Sequence, residues 1–88
     1  MRAHVLVSGS VQGVYFRAAT RDRARSHGEK GWDRNATDGR VEAVFEGERA
    51  PVESMDEWCR RGPAGASVDA VETSWEEPRG EERFSVVA

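Results

Sequence analysis

The chain is expected to fold as an α+β sandwich, an antiparallel sheet with two helices packed on one face. Three observations predict this. The apolar periodicity reads strand, helix, strand, strand, helix, strand, with a final short strand. The middle strands flank Thr37-Asp38-Gly39, and Asp-Gly is a strong hairpin cue because its turn needs residues that tolerate positive φ. The 88 residues suit one small domain, 1–88, built on a single core. Right-handed crossovers on either side of the hairpin then place both helices on the same side of the sheet.

Ala3 to Ser8 is short, partly alternating and rich in β-branched residues, a strand ending at Gly9. Phe16 to His27 carries Phe16, Ala19, Thr20, Ala24 and His27 on one helical stripe, and Gly28 suits the helix end. Lys30 to Ala36 and Arg40 to Glu46 form the hairpin. In its second strand Val41, Ala43 and Phe45 alternate with Glu42, Val44 and Glu46, the mark of a sheet covered on one face. Pro51 fits a first helical turn, and Val52, Met55, Trp58 and Cys59 make an apolar stripe in a helix running through Arg61 to Gly62-Pro63. Val68 to Trp75 and Phe84 to Val87 close the sheet, separated by a polar turn-rich segment.

Composition narrows the function. No stretch approaches the roughly 20 apolar residues that span a bilayer, and Met1 to Val7 runs into a polar loop without a signal-peptide core, so the expected location is the cytoplasm and no membrane partner is implied. The single cysteine, Cys59, leaves no intramolecular disulfide, and no Cys/His cluster has metal-ligand spacing. The net charge of −3, from 16 acidic and 13 basic residues, is unlike that of a general nucleic-acid binder. Lys30 is the only lysine. A lysine-poor, acid-rich surface fits either a halophilic, high-salt cytoplasm or a GC-rich genome, and so small a net charge does not choose between them.

The chemistry concentrates in Gly9-Ser10-Val11-Gln12-Gly13-Val14-Tyr15-Phe16-Arg17. Glycines let backbone N–H groups turn inward, a helix start adds donors without intrahelical partners, and Arg17 supplies a planar cation whose fork suits two phosphate oxygens. A glycine-rich loop alone is often a plain turn. Downstream stands Gly31-Trp32-Asp33-Arg34-Asn35-Ala36-Thr37-Asp38-Gly39-Arg40-Val41, followed by Gly47 and later by Gly62-Pro63 and Val68.

Through these two motifs, in this order, the chain resembles the acylphosphatase family over nearly its whole length. The resemblance implies a ferredoxin-like sandwich and a cofactor-free, metal-independent hydrolase of carboxyl-phosphate mixed anhydrides. It implies Arg17 and Asn35 as catalytic residues, with the phosphate cradled by the backbone of Ser10, Val11, Gln12, Gly13, Val14, Tyr15 and Phe16 and the attacking water oriented by Asn35. The residues are consistent with that chemistry. An acyl phosphate expels a carboxylate whose acid has a pKa of roughly 4, so no general acid is required, and neither motif contains a His or Cys that could act as one. A cation at a helix start opposes the dipole unless an anion lies near, which favours a phosphate role for Arg17 over a solvated one. Asn35 could instead serve only the turn that follows it.

The other notable residues have plainer readings. Arg34 points to the opposite face as a solvated arginine, the side chains of Gln12 and Tyr15 have no assigned role, and Trp32, Trp58 and Trp75 are core or edge packing. Cys59 is buried and inert, and His4 and His27 are isolated. The expected partner is a small acyl phosphate, and a monomer is the default for so short a chain. Two rival functions stand beside hydrolysis: a non-catalytic anion- or partner-binding module on the same fold, which would need the cradle but not both Arg17 and Asn35, and a single-strand RNA binder, for which the aromatic and basic sheet motif is missing.

Glu29 and Asp33 depart from the resemblance, because the family usually carries aliphatic residues there and commonly at His27 as well. By strand periodicity Glu29, Gly31, Asp33 and Asn35 share one face, so two carboxylates are directed toward the core. Pairing with His27 or an arginine, exposure by strand twist, or deliberate substitution are the three escapes. A negative charge two residues from Asn35 is also expected to weaken binding of a dianion.

Overall fold

The computed structural model describes residues 1–87; Ala88, the last residue of the expected domain, lies outside the described residues. Its elements are β1 (Arg2–Ser10), α1 (Phe16–Ser26), β2 (Lys30–Asn35), β3 (Val41–Glu46), α2 (Arg49–Cys59), β4 (Ser67–Glu76) and β5 (Phe84–Val86). The sheet order is β4-β1-β3-β2-β5. The four longer strands pair antiparallel, and the short β5 adds a parallel pair with β2, so the ferredoxin-like sheet is mixed at one edge rather than antiparallel throughout. The direction of β5 follows from its connection, since the chain crosses from β4 at the far edge before pairing.

The alternation seen in the sequence becomes the covered face. Ala3, Val5 and Val7 of β1 and Val41, Ala43 and Phe45 of β3 are fully buried with Phe16 and Ala24 of α1 and Val52, Met55, Trp58 and Cys59 of α2. Phe16 meets Trp58 at 5.7 Å between ring centroids, and Phe45 stacks on Phe84 at 5.6 Å, fixing α1 to α2 and β3 to the added strand.

Element ends shift by one or two residues from the sequence reading. α2 begins at Arg49, two residues before Pro51, which still falls in the first turn where a missing N–H costs nothing, and it ends at Cys59 rather than Arg61. β1 continues through Gly9 to Ser10 across an irregularity at Ser8/Gly9. Gly9 sits at φ 129°, where a Cβ would collide with the Ser67 carbonyl, so the close approach of β1 and β4 depends on glycine.

Candidate active site

Beyond Ser10 the backbone leaves the sheet and turns into α1 through two left-handed residues, Gly13 at φ 75° and Tyr15 at φ 66°. Tyr15 is the only non-glycine with positive φ among the described residues. Such a residue costs on the order of 1 kcal/mol or more and persists only where its neighbours fix it. Phe16, locked in the core against Trp58, supplies that restraint on one side. On the other, Gln12 Nε2 donates to the carbonyls of Ala36 at 2.9 Å and Arg40 at 3.0 Å, fastening the loop to the turn between β2 and β3. Sequence reasoning left the Gln12 side chain unassigned, since only the fold brings that turn beside it.

The loop ends in unused donors. Among the described residues, the backbone N–H groups of Gln12, Gly13, Val14 and Tyr15 donate to no other group of the chain. The start of α1 has no side-chain cap and no acidic residue in its first turn. Unsatisfied N–H groups, the positive end of the helix dipole and Arg17 thus lie together, and among the described residues no acidic side chain forms a hydrogen bond or ion pair with them.

Gly13, Tyr15 and Arg17 line a pocket of ≈ 150 Å³ together with Val11, Phe16, Ala18 and Asn35. The hairpin brings Asn35, at the end of β2, to the helix start that carries Arg17, so residues eighteen positions apart in sequence share one small cavity. The Asn35 side-chain oxygen is buried and accepts no hydrogen bond. A neutral amide oxygen in that state can hold a donor such as a water O–H, but it cannot take its proton at pH 7. Of the other loop residues singled out in the sequence, Ser10 ends β1 opposite Ser67, Gln12 reaches toward the hairpin turn, and Val14 packs against the core. Ala18 lines the pocket with no sequence signal beyond its place next to Arg17.

Below this pocket lies the least expected feature of the chain. Asp33 is fully buried with both carboxyl oxygens unpartnered, and Glu29 is 3 % exposed with one oxygen unpartnered. Neither the strand twist nor a pairing partner rescues them: among the described residues neither His27 nor any arginine forms an ion pair with either carboxyl. Burial pushes the Asp33 carboxyl up to about 7, against the pull of Arg17 and Arg21, and pushes Glu29 up to about 7, against the N-terminal amine and with the help of Glu48. The Glu29 carboxyl occupies the space that a side chain at position 47 would take, so Gly47 admits it.

Other polar residues have found partners. Arg34 leaves the helix-covered face as expected but is not free, since its Nε donates to Glu42 at 2.5 Å, and Glu42 also meets His4 at 2.6 Å. His4 is therefore paired rather than isolated. Trp58 is buried with Arg23 over its ring at 5.7 Å, Trp32 is partly buried, and Trp75 is 51 % exposed at the β4 edge. Cys59 is a buried free thiol whose pKa is pushed well up by burial and by the charges of Asp56 and Asp33. Among the described residues no group of three His, Cys, Asp or Glu side chains is placed to hold a metal ion, and no helix is long and apolar enough to cross a membrane.

Known proteins resemble this chain over nearly its whole length. The acylphosphatase family model matches residues 3–86. An acylphosphatase of Roseiflexus sp. (strain RS-1) is 60% identical over 87 residues, covering 98% of this chain and 94% of that protein. One of Chloroflexus aurantiacus is 61% identical over 88 residues, covering 99% and 96%. The crystal structure of acylphosphatase from Bacillus subtilis superposes with a TM-score of 0.94 at 32% identity, covering 99% of this chain and 98% of that one.

Proposed function

The chain belongs to the acylphosphatase family and hydrolyses acyl phosphates, and we propose that it does so with Arg17 and the 10–16 backbone holding the phosphoryl group while Asn35 orients the attacking water. The observation that carries this reading is the pocket that Arg17 and Asn35 line together with Gly13 and Tyr15, whose backbone N–H groups have no partner among the described residues.

The phosphoryl oxygens take hydrogen bonds from the loop N–H groups and the Arg17 fork. Charge that grows on the equatorial oxygens in a loose transition state meets donors already in place, so little reorganisation opposes the step. Asn35 accepts a hydrogen bond from the water and fixes its approach, converting part of the entropic barrier into binding. The P–O bond to the acyl oxygen breaks as the water oxygen bonds to phosphorus. The carboxylate leaves unprotonated, and the proton of the water passes to the phosphate or to solvent. With a neutral Asn35 as the water's partner, kcat shows no requirement for a single enzyme base near neutral pH.

The proposed working unit is a monomer acting on small acyl phosphates in the cytoplasm, where the free Cys59 thiol suits a reducing environment. No nucleic-acid role is proposed, in keeping with the net charge of −3.

Steady-state hydrolysis of a simple aryl acyl phosphate by the parent, Arg17→Ala and Asn35→Ala, with folding followed by circular dichroism and with chelator present and absent, tests the assignment. A loss of roughly a hundredfold or more in kcat/KM is expected from each folded variant, with no effect of chelator. Either variant folded and fully active contradicts its assigned role. An inactive folded parent returns the chain to the non-catalytic anion-binding reading.

A further inference from the structure

Asp33 stands out because the proposed mechanism does not use it and the core does not satisfy it. It lies on the helix-facing side of β2, two residues before Asn35, fully buried, with neither carboxyl oxygen hydrogen-bonded. It is fully buried and does not line the pocket beside Arg17, so its carboxyl is not exposed to a ligand bound there.

The charged and titratable groups around it are few. From α1, Arg17 and Arg21 act on it electrostatically. From α2, the Cys59 thiol feels its charge and stays protonated. Its neighbours across the sheet are Ala43 of β3 and Val86 of β5, neither of which titrates. Arg17 and Asn35 line one pocket, Asp33 lies two residues before Asn35 on the buried face of β2, and Arg17 thus feels the Asp33 charge while it lines the pocket.

We propose that Asp33 is a positioning residue that couples anion binding at the Arg17 pocket to proton uptake: protonated, it leaves the Arg17 charge to the substrate, and ionised, it competes for that charge and repels the dianion. The proposal rests on the phosphate reading of the pocket. At an effective dielectric of about 20, two unit charges about 10 Å apart still interact strongly enough to move an affinity by about an order of magnitude. Burial places the Asp33 transition near neutral pH, at about 7 in the empty protein. A bound dianion raises it further, and by linkage the protonated form binds the dianion more tightly. The sign separates this role from general-base catalysis. An essential base loses kcat as pH falls, whereas Asp33 raises KM as pH climbs and leaves kcat alone.

Sulfate is the first probe, because it remains a dianion across the whole range and does not add its own titration. Between about pH 6 and pH 8.5 the parent is expected to lose about five- to tenfold in sulfate affinity. Calorimetry in two buffers of different ionisation enthalpy is expected to record proton uptake on binding near neutral pH. KM for an aryl acyl phosphate follows the same curve with kcat changed less than about twofold. Asp33→Asn, or Asp33→Val should the first variant fold poorly, is expected to bind tightly with little pH dependence. Glu29→Gln, at the opposite end of β2, retains the parent's slope. A flat parent profile without proton uptake, a slope retained by both Asp33 variants, or a slope abolished by Glu29→Gln overturns the proposal. Sulfate binding that survives Arg17→Ala unchanged overturns both it and the phosphate reading beneath it.

Discussion

Two neighbouring parts of the sheet bury charge in opposite ways. Where β1, β3 and β4 meet, Arg2 is 3 % exposed and lies among Glu46, Glu76 and Glu81, and Glu46 also accepts backbone N–H bonds from Arg79 at 2.8 Å, Gly80 at 3.2 Å and Glu81 at 3.1 Å. Those bonds fasten the segment before β5 and hold the Glu46 carboxyl below its usual range despite its burial. Asp33 on β2 and Glu29 just before it are buried as deeply and receive no such set of donors. Equal burial thus has opposite consequences: a partnered charge organises a loop, and an unpartnered carboxyl is retained largely by keeping its proton.

The largest break in this comparison is Arg2→Ala. It strands Glu46 without its buried cation and is expected to destabilise the fold by about 3–5 kcal/mol in denaturant unfolding. The mirror substitution, Asp33→Val, is expected to stabilise by about 2–4 kcal/mol at alkaline pH and by less in acid, because it removes a group whose ionisation opposes the fold.

The pH dependence of the parent carries the same contrast. The folded pKa values of Asp33 and Glu29 are raised from 3.8 and 4.5 to about 7, so the native state binds more protons than the unfolded chain between about pH 4 and pH 7. Their contribution is fully present below the unfolded pKa values and is lost as pH rises through about 7, by up to about 1.4 kcal/mol per pH unit for each group. Glu46 has the opposite sign, with stability present above its unfolded pKa and lost as acid protonates it. Unfolding midpoints across this range should therefore fall toward neutral pH in the parent and flatten in an Asp33→Val, Glu29→Val double variant. A parent whose stability rises steadily from pH 4 to pH 8 contradicts the unpartnered assignment.

A smaller effect is expected at Gln12→Ala, where loss of two side-chain bonds to Ala36 and Arg40 frees the loop from the hairpin turn. The cost is about 1 kcal/mol in stability and a several-fold rise in KM with kcat less affected. Smallest is Arg34→Ala, an exposed partner of Glu42, at about 0–1 kcal/mol.

What could be read from the sequence follows the same division. Alternation in β1 and β3 and the stripe on α2 report burial directly, because apolar side chains need only the correct face. The two motifs single out Arg17 and Asn35, and the fold brings both to one pocket. Periodicity also directed Glu29 and Asp33 inward, yet it could not tell that no partner awaits them, since pairing depends on which helix residues lie opposite. Arg2 was invisible for the converse reason. An arginine at a chain start looks solvated until three carboxylates from distant strands and loops surround it. The parallel direction of β5 is likewise a property of the crossover and not of Phe84, Ser85 and Val86 themselves.

The most direct test of the central claim is a backbone and side-chain amide NMR titration with inorganic phosphate. The largest changes are expected at Val11 to Arg17 and at the Asn35 side chain, and they should vanish in folded Arg17→Ala. Shifts that centre instead on another concavity, such as the one lined by Trp32, Gly80 and Arg83, or that persist without Arg17, would contradict the assignment of the loop and Arg17 as the phosphate site.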